Sequence, residues 1–104
     1  MNASFDFPNA SAAEKIAHLE ARLEAALEPQ TVHIEDDSAA HAGHAGAASG
    51  SHYTVTVIAE CFAGRARVAR HRLVYDALAA EMQHGVHALA IRAYTPQEFA
   101  EQFE

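Results

Sequence analysis

Only one of the 104 residues is a cysteine, Cys61. No disulfide can form within the chain, which excludes a disulfide-stapled secreted domain. Basic residues are also few. Seven Lys and Arg stand against fourteen Asp and Glu, for a formal net charge of −7. Strong non-specific binding to polyphosphate needs a basic footprint, and this balance is acidic. No apolar run approaches the roughly 18–20 residues of a membrane-spanning helix. The first residues lack the charged-then-apolar order of a signal peptide, so the cytoplasm is the expected compartment. A phosphate-binding glycine loop and a histidine–nucleophile pair in recognisable context are missing too. Asp36 and Asp37, beside Glu35, read as solvated charge rather than paired acids. A non-enzyme is expected.

What is present suits one small α+β domain. Half of the residues are hydrophobic, many of them alanine, enough for one thin core and a sheet covered by helices. Residues 1–10 carry little pattern and are expected to be a flexible lead-in to a domain over 11–104, with docking of Phe5 and Phe7 on the body left open. Ser11 and Glu14 form an S-x-x-E capping box, followed by an apolar stripe at Ile16, Leu19, Leu23 and Leu27. Pro29 ends that helix. Residues 31–35 and 53–58 read as strands. Between them, 36–51 holds Ala, Gly, Ser, Asp and His with no core-forming side chain. An exposed, mobile loop is expected there.

The spacing then predicts a helix over 67–83, with Val74, Ala77, Leu78 and Met82 on one side and a break or short extra helix near its start. Gly85 stops it, and 86–94 reads as a third strand. Thr95, Pro96 and Glu98 cap a last helix, on which Phe99 and Phe103 should pack inward. The order is α-β-β-α-α-β-α. A strand, helix, strand succession implies parallel pairing through a right-handed crossover. The expected sheet is mixed and three-stranded, its first two strands antiparallel and its third parallel to the second.

Three segments together resemble the BolA family. They are Phe62-Ala63-Gly64 with Arg70-His71-Arg72-Leu73-Val74-Tyr75; Gly85-Val86-His87-Ala88-Leu89 leading to Tyr94-Thr95-Pro96; and Asp36-Asp37-Ser38-Ala39-Ala40-His41 with Ser51-His52-Tyr53. The resemblance spans about residues 12–99. F-A-G replaces the usual F-E-G, and the polar loop carries an additional histidine, His44. The resemblance implies a fold like the second type of KH domain, without the G-x-x-G loop that clamps nucleic acid. It also implies a cytosolic monothiol glutaredoxin as partner, with which a [2Fe–2S] cluster is shared. Glutaredoxin and glutathione would supply thiolates. This chain would supply His87 and a loop histidine, His41 by its distance from Asp37-Ser38, with His44 as substitute.

Residue chemistry agrees with that implication, since neutral imidazole is a good iron ligand and mixed thiolate–imidazole clusters exist. Read without the resemblance, His87 also suits a core histidine bonded to backbone, and His41 and His44 suit solvated loop residues. A second function stands beside the first, because bacterial BolA proteins are also described as DNA-binding regulators. Its feature here is the group Arg65, Arg67, Arg70 and Arg72 at a turn–helix junction, where guanidinium groups can meet phosphates. The same group also suits a solvated helix start.

Overall fold

The structure is a computed structural model that describes residues 5–37 and 51–103. Its first long element, helix α1 (Ala12–Leu27), begins as the capping box requires. The Glu14 amide donates to Ser11 Oγ at 3.1 Å, and the Ser11 amide donates to Glu14 Oε1 at 2.9 Å. Leu19, Leu23 and Leu27 are buried, and Ile16 packs beside them. The helix stops because Pro29 disfavours the α region for Glu28. Glu28 turns into the left-handed region at φ 47°.

Strand β1 (Thr31–Asp36) runs antiparallel to β2 (Ser51–Ile58), and β2 runs parallel to β3 (Val86–Tyr94). Among the described residues these form one three-stranded sheet in the order β1-β2-β3, as expected. Alternation along β2 shows how the core is filled. Tyr53, Val55 and Val57 are buried on one face, and Thr54 and Thr56 are only part-buried on the other. Successive strand side chains point to opposite faces, so one face is covered by helices. That cover comes from α1 and from α2 (Arg67–Ala77), which touch each other and the sheet.

Two expectations are corrected, and a point the sequence leaves open is answered. The long helix breaks late, not early: α2 ends at Ala77 and a short α3 (Ala79–Gln83) follows. The joint is Leu78, fully buried at φ −110° and ψ 20°. Seating that side chain in the core takes its backbone out of helical geometry. The lead-in also docks in part. Residues Phe7–Asn9 form a 3-10 turn, and Phe7 is 3% exposed within the core cluster. Finally, α4 (Pro96–Phe103) buries no residue fully, and Phe103 is 59% exposed. Phe99 and Phe103 instead pack against each other at a tilt and edge-on against Tyr94, with ring centroids 4.7–5.7 Å apart. The expected loop over 36–51 falls mostly on residues 38–50, which lie outside the described residues.

No helix among the described residues is long and apolar enough to cross a membrane.

Candidate functional site

Strand β3 carries both candidate sites, one at each end. At its start stands His87, exposed to solvent. The parallel register pairs Ser51 with Val86 and His52 with Ala88, so the ladder slips at His87 and leaves it opposite no residue of β2. Such irregularities bend a strand and re-aim a side chain. Val86 before it is buried, which anchors the strand end while His87 projects outward. The reading of His87 as a core histidine does not hold.

A second imidazole lies close by. The rings of His52 and His87 have centroids 5.0 Å apart. The Asp37 amide donates to the His52 carbonyl at 2.7 Å, and Thr54 Oγ1 donates to Asp37 Oδ2 at 2.5 Å. A shallow cavity of about 230 Å³ lies here, lined by Asp37, His52, Tyr53, Ala88, Leu89 and Ala90. Asp37 and Ser51 flank the segment 38–50 in the chain, so both its ends meet at the strand end that holds His52 and His87. His41 and His44 belong to that segment and lie outside the described residues. Among the described residues no group of three or more His, Cys, Asp or Glu is placed to hold a metal ion.

At the far end of β3 is a cavity of about 510 Å³, whose lining includes Arg65, Arg67, Arg70, His71, Arg92 and Glu98. The four arginines singled out in the sequence do not behave alike. Arg70 is turned inward, its side chain 13% exposed. Its two terminal nitrogens clamp Glu98 at 2.6 and 2.9 Å, and it also donates to the carbonyls of Ala93 at 3.1 Å and Arg65 at 2.8 Å. Its guanidinium lies over the Phe62 ring, 5.9 Å from the centroid. Arg70 therefore ties α2 to β3 and α4 and is not available to a phosphate. Arg72 is exposed but does not line the cavity. Arg65 and Arg67 do line it, exposed, with Arg65 Nε donating to the Cys61 carbonyl at 2.9 Å. Arg92, which the sequence reading missed, completes the rim. Period-two alternation places it opposite Ile91 and Ala93, but only the fold brings that edge strand beside the start of α2.

Glu98 is shared between the cap and the clamp. Thr95 N–H donates to Glu98 Oε1 at 2.9 Å, and the Glu98 amide donates to Thr95 Oγ1 at 3.1 Å. The Arg70 hydrogen bonds, then the Thr95 amide, hold the Glu98 carboxyl down from 4.5 to about 2. A carboxyl depressed on folding contributes stability above its unfolded value and loses it as pH falls toward its folded value. Wild type should therefore lose stability more steeply than Arg70→Ala between pH 4.5 and about 2. Urea midpoints measured across that window check this, and parallel curves would refute it.

The BolA-like protein family model matches residues 23–98. BolA-like protein 1 of Mus musculus is 41% identical over 93 residues, covering 89% of this chain and 66% of the relative. The DNA-binding transcriptional regulator BolA of Vibrio cholerae is 43% identical over 81 residues, covering 78% of this chain and 74% of the relative. Among solved structures, BolA1 from Arabidopsis thaliana superposes with a TM-score of 0.69 at 40% identity, covering 79% of this chain and 92% of that one. The chain belongs to the BolA family, and its mixed three-stranded sheet with helices matches its structural neighbours. It spans just under two-thirds of the mouse relative's length.

Proposed function

We propose that this protein is a non-enzymatic adaptor of the cytoplasm that shares a [2Fe–2S] cluster, as cargo, with a monothiol glutaredoxin. The observation that carries this reading is His87, exposed at the slipped start of β3 beside His52 and the stem of the loop that bears His41 and His44. An imidazole on a strand end needs little reorganisation to bind, and a loop donor can close from the other side. Neither donor alone holds iron well. The partner's thiolate and a glutathione thiolate would complete the set, giving a mixed thiolate–imidazole centre. Co-purification with a monothiol glutaredoxin and glutathione, read by visible absorption and iron content, tests the reading. A colourless, iron-free complex, or no complex, would refute it.

A second reading, DNA binding, is favoured by the grouping of Arg65, Arg67 and Arg92 around one cavity. The similarity to a DNA-binding transcriptional regulator of Vibrio cholerae points the same way. Arginines at a cavity rim supply phosphate contacts that position rather than specify. Changing Arg65, Arg67 or Arg92 to alanine should lower the slope of log affinity against log salt by about 1 per residue. Arg72→Ala should leave that slope nearly unchanged. Equal effects at all four positions in a salt titration on a DNA duplex would remove this cavity as the site.

A further inference from the structure

We infer that Phe7, from the N-terminal segment, is a positioning residue for His87, an inference that rests on the cluster-sharing reading above. The sheet holds His87 only through its paired neighbours Val86 and Ala88, because the ladder slips there and no β2 residue stands opposite it. The turn before it adds a second restraint. Gly85 sits at φ +150°, a region that residues with a side chain rarely adopt, and a Cβ built there would lie 2.7 Å from Phe7 Cδ2 and 2.9 Å from Cε2. Phe7 therefore lies directly on the bare Gly85 backbone, with Pro8 Cα at 3.7 Å from the same point. Glycine is the most permissive residue in the chain and loses the most freedom on folding. The ring restricts that freedom two residues ahead of His87.

The seat of Phe7 is itself braced. Phe5 stacks on His18 with centroids 4.5 Å apart, and Phe7 lies 5.8 Å from the same ring. His18 Nε2 is 2.5 Å from Glu81 Oε2 on α3, and the His84 amide donates to the Glu81 carbonyl at 3.1 Å. The N-terminal segment, α1 and α3 thus form one bonded unit that ends at the turn carrying His87. The family model begins only at residue 23, so Phe5, Phe7 and His18 lie outside the part of the chain it matches, and Glu81 and His84 lie within it.

The test uses the full chain, first without metal. In Phe7→Ala, amide hydrogen exchange over residues 85–89 should speed up by at least ~10-fold relative to the amides of residues 55–57. The His87 ring resonances should shift as well. Phe7→Leu, which keeps an apolar filler, should restore most of both. In the complex with glutaredoxin and glutathione, Phe7→Ala should alter the visible circular dichroism of the cluster and shorten its half-life, with partner affinity unchanged. Uniform acceleration of exchange across the whole sheet would make Phe7 merely structural and overturn the inference. So would an unaltered cluster in Phe7→Ala alongside an altered one in His87→Ala. If His87→Ala itself leaves the cluster unaltered, the ligand reading has failed first, and the positioning role toward it is refuted with it.

Discussion

Replacing Phe62 with alanine is expected to cost about 3–5 kcal/mol of stability, the range for removing a buried phenylalanine. Phe62 ends the Glu60–Phe62 turn and is fully buried in the core cluster. It also carries the Arg70 guanidinium over its ring, so its loss opens a cavity and loosens the clamp that joins α2 to β3 and α4. A domain of this size has roughly 5–15 kcal/mol in total, and each kcal/mol moves the melting temperature by about 4–8 °C. Urea unfolding of the variant, with the m value checked for constancy, measures the loss. Phe103→Ala is the control: that ring is 59% exposed, and the change should stay within about 0.5 kcal/mol. A loss at Phe62 of less than about 1 kcal/mol would show that the turn does not anchor the core.

The contrast between these two phenylalanines shows where sequence reading reaches its limit. Local chemistry was legible. Both capping boxes, the stop at Pro29 and the bounds of β3 followed from near neighbours in the chain, and all are present. Periodicity found the α1 stripe because one helix face meets one core. It failed for Phe103, since the spacing of Phe99 and Phe103 pairs them on one face but does not say what that face meets. It also failed for the helix break, because Leu78 leaves helical geometry to fill a space defined by other elements.

Long-range pairs were invisible for the same reason. His18 had no motif around it, yet it bonds Glu81, 63 residues away. Glu98 was read as a cap, and its clamp on Arg70 crosses 28 residues. That clamp is what divides the arginine group: a run of like charges in sequence became one inward-turned, part-buried tie and a set of exposed cations. Arg92 joined the exposed set from another element. Phe7 carried no pattern at all, because its partner is a glycine, and a bare backbone leaves no periodic signal.

On the cluster-sharing proposal, His87→Ala is expected to leave the fold intact and to bleach or alter the cluster. The first half follows from exposure: the side chain packs into no core, and β3 is anchored by Val86 beside it. The second half follows from coordination, because one iron loses a nitrogen donor and water replaces it poorly. His52 makes the test sharper. Its ring is 5.0 Å from that of His87, close enough to serve as a substitute donor. The His87→Ala, His52→Ala double variant should therefore lose at least as much iron as His87→Ala, and His52→Ala alone should change the spectrum little. On the loop side, His41→Ala should act more weakly than His87→Ala, because His44 is three residues on and can substitute. Changing both loop histidines should then match His87→Ala. Visible spectra and iron content of each variant in complex with glutaredoxin and glutathione decide the matter, with far-ultraviolet circular dichroism confirming the fold. If the His87 variant and the double loop variant both keep the wild-type spectrum, these histidines are not the ligands, and the cluster-sharing function loses the observation that carries it.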